Sequence, residues 1–219
     1  MASRLKIFRN RLLIGCMNKM RVGLDFDNTL ISYDQLFRRV ALDKALIPHE
    51  TPPQKNAVRD YLRLQDREDE WTLLQGEVYG GRILEAEAYT GMMDALDVLS
   101  QRRIPMSIVS HKTRTPYLGE PWDLHAAARS WLVQQGFHDC NGLGWSKEEV
   151  FFELSKEAKV ARIVHLGCTH YVDDLPEILA MLPETIVRIL FDPGSNVTVC
   201  HDWKIMRSWT ELPDILNLR

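Results

Sequence analysis

The 219-residue chain predicts an α/β protein: a doubly wound parallel sheet, Rossmann-like in its layering, with a small α-helical cap inserted after the first strand. Three observations carry this. Short apolar runs alternate with stretches of helical period. Four of those runs stop on a polar residue, Asp25, Ser110, Asp173 and Asp192, at the point where a strand leaves a sheet. Residues 32–88, between the first run and the second, are nearly all helical by pattern. The division expected is therefore a core of residues 20–31 and 89–219, a cap of 32–88, and an extension of 1–19.

The first strand is read over 20–26, where Val22, Leu24 and Phe26 share one parity and Asp25 and Asp27 the other. Tyr33, Leu36, Phe37, Val40 and Ala41 then follow the i, i+3, i+4 pattern of an amphipathic helix. Pro48, Pro52 and Pro53 end it, and a second helix is expected at about 53–66, with Val58, Tyr61 and Leu62 on one face. Trp71, Leu74 and Val78 belong to the cap core, while Gln75, Gly76, Tyr79 and Gly80 offer a pocket lining or a hinge. Tyr89, Met92, Leu96 and Leu99 mark a long helix, and Ile104 to Val109 the second strand.

Asp123 reads as the N-cap of a helix bearing Leu124, Ala128, Trp131 and Leu132. Glu149 to Leu154 is a short strand, and Ser155 caps a helix that Gly167 ends. His170 to Val172 forms the next strand and Pro176 opens the helix after it. Ile186 to Phe191 is the last strand expected; Trp203 and Trp209 belong to a tail packing on the sheet edge.

Composition narrows the classes of function. Apolar residues make 45% of the chain and charged residues 26%, ordinary for a globular protein. A formal net charge of −3 gives no electrostatic reason to expect nucleic acid or an anionic membrane as partner. No stretch reaches the ~18 continuous apolar residues of a membrane span. Cys16, Cys140, Cys168 and Cys200 are scattered without a CxxC pair, so reduced thiols and a cytoplasmic location are expected. Arg4, Lys6, Arg9 and Arg11 surround Leu12, Leu13 and Ile14, an apolar run too short for a signal peptide.

The chemistry concentrates at Asp25-Phe26-Asp27-Asn28-Thr29. Two carboxylates two positions apart arrive where a buried strand ends, and unpaired they are costly, so a cation is their natural partner. An EF-hand loop is excluded, because Leu30 and Leu36 stand where that loop needs glycine and glutamate.

Four separated pieces together resemble the haloacid dehalogenase-like (HAD) hydrolases over residues ~20–192: the DxDxT run, Ser110 after an apolar strand, a lysine in the helix before the fourth strand, and Asp173-Asp174. The helical segment after the first motif looks like that family's type 1 cap. The resemblance implies that Asp25 attacks phosphorus to give an aspartyl-phosphate and that Asp27 acts as general acid and base. It implies Mg2+ held by the Asp25 carboxylate, the Asp27 backbone carbonyl and Asp174, with Asp173 beside them or sharing the role. Ser110 would bind a phosphoryl oxygen, Thr29 would position Asp27, and Lys159 is favoured over Lys156 as the phosphate-neutralising lysine. His111 and Lys112 follow Ser110 and are candidates for contact with an anionic substrate.

Dehalogenases and phosphonatases of the family lack the aspartate at the position of Asp27, so phosphate-ester chemistry on a small phosphorylated metabolite is expected. Phosphoryl transfer to a second alcohol, as in phosphomutases, and a non-catalytic binding module are the alternatives.

Overall fold

A computed structural model describes residues 20–140, 142–195 and 202–218. The 1–19 extension, Cys16 and Cys200 lie outside the described residues.

Six strands form one parallel sheet in the order β5-β4-β1-β6-β7-β8: β1 (Val22–Leu24), β4 (Met106–His111), β5 (Val150–Glu153), β6 (His170–Asp173), β7 (Val187–Phe191) and β8 (Lys204–Met206). β1 is central and pairs with both β4 and β6, so chain order reverses at this strand. In such sheets the crevice beyond the carboxyl ends at the reversal is where ligands bind.

The sheet is covered on both faces. On one face, α6 (Lys156–His165) and α7 (Pro176–Met181) bury Ile163, Ile178 and Leu179 against Val109, Tyr171 and Leu190. On the other, α4 (Met92–Gln101), α5 (Leu124–Gln134) and α8 (Leu212–Ile215) join the larger cluster that contains Val22, Leu24 and Phe26. Gly23 has no side chain for a reason: a Cβ there would lie 2.6 Å from the Tyr171 ring. The caps expected at Asp123 and Ser155 are made, each side chain accepting from a backbone N–H in the first turn.

Two differences from the sequence reading concern extent. β1 covers only Val22–Leu24, because at Asp25 the chain begins to leave the ladder; Phe26 O then accepts from Leu30 N at 3.0 Å, in a turn where Asn28 has φ 56°. The tail does more than pack on the sheet edge. Lys204–Met206 adds a sixth strand, and Trp209 is buried with its indole N–H donating to Thr29 O at 3.0 Å.

Between β1 and α4 lies the helical insert. It leaves through β2 (Ile31–Ser32) and returns through β3 (Glu87–Ala88), a two-stranded antiparallel ribbon. Within it α1 (Asp34–Asp43), α2 (Lys55–Arg63) and α3 (Glu68–Gly76) pack together, and a π-helical turn, Glu77–Gly81, extends α3. Phe37 stacks on Trp71 at 5.0 Å, and Tyr79 meets Tyr33 and Phe37 edge-on at 4.8 and 5.5 Å. The loop after β4 packs on this insert: Cβ atoms at Gly76 and Gly80 would fall 2.9 Å from Pro116 and 2.5 Å from Trp122.

Candidate active site

Asp25 lies just beyond the carboxyl end of β1, with its backbone N–H donating to Val172 O at 2.9 Å in the last rung toward β6. That rung sets it beside Asp173, the final residue of β6, and Asp174 follows immediately. Carboxylate oxygens of Asp25, Asp173 and Asp174 all lie within 4.8 Å of one another. Asp25 and Asp173 are buried, at 4% and 0% exposure, and Asp174 is half-buried.

Three carboxylates this close repel each other. Asp173 is pushed up to about 7, by burial first, with Asp25 adding to the rise and Lys159 opposing it. Asp174 is raised well above the ordinary carboxylate range, by burial and then by Asp173 and Asp25. An all-oxygen donor set in which Asp173 and Asp174 resist ionisation is suited to a hard divalent cation, which would relieve both causes. The cluster can hold a metal ion.

Lys159 already supplies one positive charge. It sits in the second turn of α6, and its ammonium donates to Asp25 Oδ1 and to Asp173 Oδ2, each at 2.6 Å. Burial works against its charge, yet Asp173 and Asp25 hold its pKa above the ordinary lysine value. Lys156, one turn earlier, points elsewhere and pairs with Glu177 at 2.8 Å. Ser110 is buried near the end of β4, the strand beside β1.

Asp27 stands apart from the carboxylate cluster. The Tyr33 hydroxyl donates to its Oδ1 at 2.6 Å, and the Lys112 ammonium lies 2.9 Å from both of its oxygens. Lys112 is itself buried and held: its N–H donates to Glu153 O, its carbonyl meets the His125 ring, and its ammonium lies over Tyr79 and Phe26. Thr29, expected to position Asp27, does not do so. Its hydroxyl is buried without a partner among the described residues, while Tyr33 and Lys112 take up the Asp27 carboxylate. His111 has the opposite strand parity to Ser110 and Lys112.

Tyr33 and the pairing of Lys112 with Asp27 escape sequence reasoning. Tyr33 reads as one more apolar position of α1, and Lys112 is 85 residues from its partner. The one available signal is a tyrosine six residues after the second acid of the DxD run.

Beyond Tyr79 a cleft opens between the insert and the loop after β4, lined by Thr72, Gln75, Gly76, Thr113, Pro116 and Tyr117. Gln75, Gly76 and Tyr79 thus line a pocket, whereas Gly80 is spent on the close approach of Trp122.

This architecture is shared with solved structures. The chain is similar to the HAD-hydrolase YfnB from Bacillus subtilis bound to magnesium, at 14% identity over 91% of this chain and 99% of that one, with a TM-score of 0.57. It is similar at 14% identity to a predicted phosphoglycolate phosphatase from Haemophilus somnus, covering 92% and 100% of the two chains with a TM-score of 0.55. A haloacid dehalogenase-like family hydrolase from Xanthomonas campestris aligns at 9% identity over 90% and 94%, with a TM-score of 0.53. The chain and these HAD-type hydrolases share one fold. No family model matches the sequence, and no curated protein matches it. The HAD fold therefore rests on architecture, with the acidic cluster at its sheet reversal.

Proposed function

We propose that the protein is a magnesium-dependent phosphatase that hydrolyses a small phosphorylated metabolite through an aspartyl-phosphate. The observation that carries this reading is the bridge from Lys159 to Asp25 and Asp173, set against a cluster of three carboxylates. A phosphate dianion repels an attacking carboxylate, so the reaction needs cations placed beside the nucleophile and the phosphoryl oxygens. Asp25, Asp174 and the Asp27 backbone carbonyl would hold Mg2+, with Asp173 beside them; bound there, the ion neutralises and orients the phosphoryl oxygens.

The chain's own residues supply the rest. Asp25 attacks phosphorus, the ester O–P bond breaks, and Asp27 passes a proton to the departing alcohol oxygen. In the second half Asp27 takes a proton from water as that water attacks the aspartyl-phosphate, which releases phosphate and restores Asp25. Tyr33 and Lys112 fix the Asp27 carboxylate for both transfers. Lys159 donates to Asp25 and holds it in place, and Ser110 is the hydroxyl for a phosphoryl oxygen. The alcohol portion occupies the cleft beside Tyr79, whose small size suits a small metabolite.

The test is turnover of p-nitrophenyl phosphate. Hydrolysis should require magnesium and vanish in Asp25→Asn. Metal-independent release of halide from a 2-haloacid, without phosphatase activity, would overturn the reading; dependence on a bisphosphate activator would turn it into a mutase.

A further inference from the structure

Lys55 opens α2 in the insert, and its backbone N–H donates to Asp34 Oδ1 at 2.9 Å, which fixes the start of that helix against α1. Its side chain does not run into solvent. The residue is half-buried, with its ammonium 5.4 Å from the centroid of the Tyr79 ring and 5.5 Å from that of Phe37. Among the described residues no carboxylate lies within ion-pair distance of it, whereas Lys159 and Lys112 are both paired. The carboxylates that act on it from farther off are Asp27 and Asp174, the proposed proton carrier and a member of the cation cluster. Burial works against its charge, but Tyr79, Asp27 and Asp174 outweigh it and the pKa is raised.

With Asp27 carrying the proton it passes to the leaving group, the three carboxylates of Asp25, Asp173 and Asp174 face Lys159, Lys112 and one divalent cation, a balance of one positive charge. A core so charged falls one positive charge short of an arriving phosphate dianion. A cation held by the cluster would also offset the field of Asp174, one of the groups that favour the Lys55 ammonium. Both deficits are met by one contact.

We propose that Lys55 is a phosphoryl-binding residue contributed by the insert, its ammonium contacting the substrate's phosphate dianion when a divalent cation occupies the carboxylate cluster. The proposal rests on the phosphatase reading above. It makes the insert part of the reaction centre rather than only a cover, because the phosphate is fully neutralised only with α2 in place.

Lys55→Met keeps the aliphatic stem on the Phe37 and Tyr79 rings and removes the charge alone; Lys55→Arg restores a cation. Two readouts are needed: magnesium-dependent hydrolysis of p-nitrophenyl phosphate, whose leaving group carries no second anion, and calorimetric binding of inorganic phosphate to the magnesium-loaded protein. Lys55→Met should lower kcat/KM roughly 10- to 100-fold and weaken phosphate binding by a similar factor. Lys55→Arg should recover most of both, at an unchanged melting temperature. Values within twofold of wild type in both assays would overturn the proposal. If the wild type binds phosphate but hydrolyses no ester, the phosphatase reading fails while the binding arm still decides Lys55; if it does neither, both fail.

Discussion

The ammonium of Lys159 lies between Asp25 and Asp173, 2.6 Å from an oxygen of each, and all three side chains are buried. One lysine thus holds the proposed nucleophile against the adjoining strand. Lys159→Met leaves two buried carboxylates uncompensated, and in chelator should cost about 3–5 kcal/mol of stability. Urea denaturation measures it. Magnesium should return part of the loss while activity stays absent, and an unchanged midpoint would show that the bridge carries no weight.

Asp173 gives the metal-free protein a pH dependence of definite sign. Its pKa of about 7 lies above the ordinary carboxylate value of the unfolded chain, about 3.9, so between these limits the folded state binds more protons. This group therefore removes stability as pH rises from about 4 to about 7, and contributes no further slope beyond. A bound cation cancels the effect. The rise in melting temperature on adding magnesium should accordingly grow across that interval; a rise independent of pH would contradict the assignment of Asp173 to the cluster.

Asp27 is held by a hydroxyl at 2.6 Å and an ammonium at 2.9 Å. Tyr33→Phe removes one hydrogen bond and leaves the ring packing, and should lower kcat roughly 10-fold with KM little changed. Lys112→Met should cost more, because it also removes a buried charge partner. Steady-state kinetics on p-nitrophenyl phosphate separate the two parameters. A pure KM effect would mean that these groups serve binding instead.

The seam between the insert and the loop after β4 depends on Gly80, where a Cβ would sit 2.5 Å from Trp122. Gly80→Ala should cost about 1–3 kcal/mol in thermal unfolding. Trp122→Ala in the same chain should recover part of that, a coupling expected between touching residues. Strict additivity would show that the seam is slack.

Much of this arrangement was legible in the amino-acid order, for a physical reason. Strands buried on both faces read as apolar runs, so a polar residue ending one stands out, and Asp25, Ser110 and Asp173 are each such an ending. Asp123 and Ser155 announce their helices because capping is a local matter. What escaped depends on distance along the chain or on brevity. β8 is three residues long and only one of them is buried. Lys112 and Tyr33 meet Asp27 through tertiary contacts that leave no periodic trace. Lys55, at the first position of an amphipathic helix, has the look of an ordinary solvated lysine until the rings of Phe37 and Tyr79 are seen beneath it.

The ribbon of β2 and β3 brings Ser32 opposite Glu87 and Ile31 opposite Ala88. The insert thus departs and returns at one place, and none of its strands belongs to the six-stranded sheet. A helical module joined by such a stalk is a cassette: another of different length can be spliced between the same two residues without shifting Asp25 or Asp173. Chimaeras that exchange this segment should keep the reaction and change the molecule it acts upon.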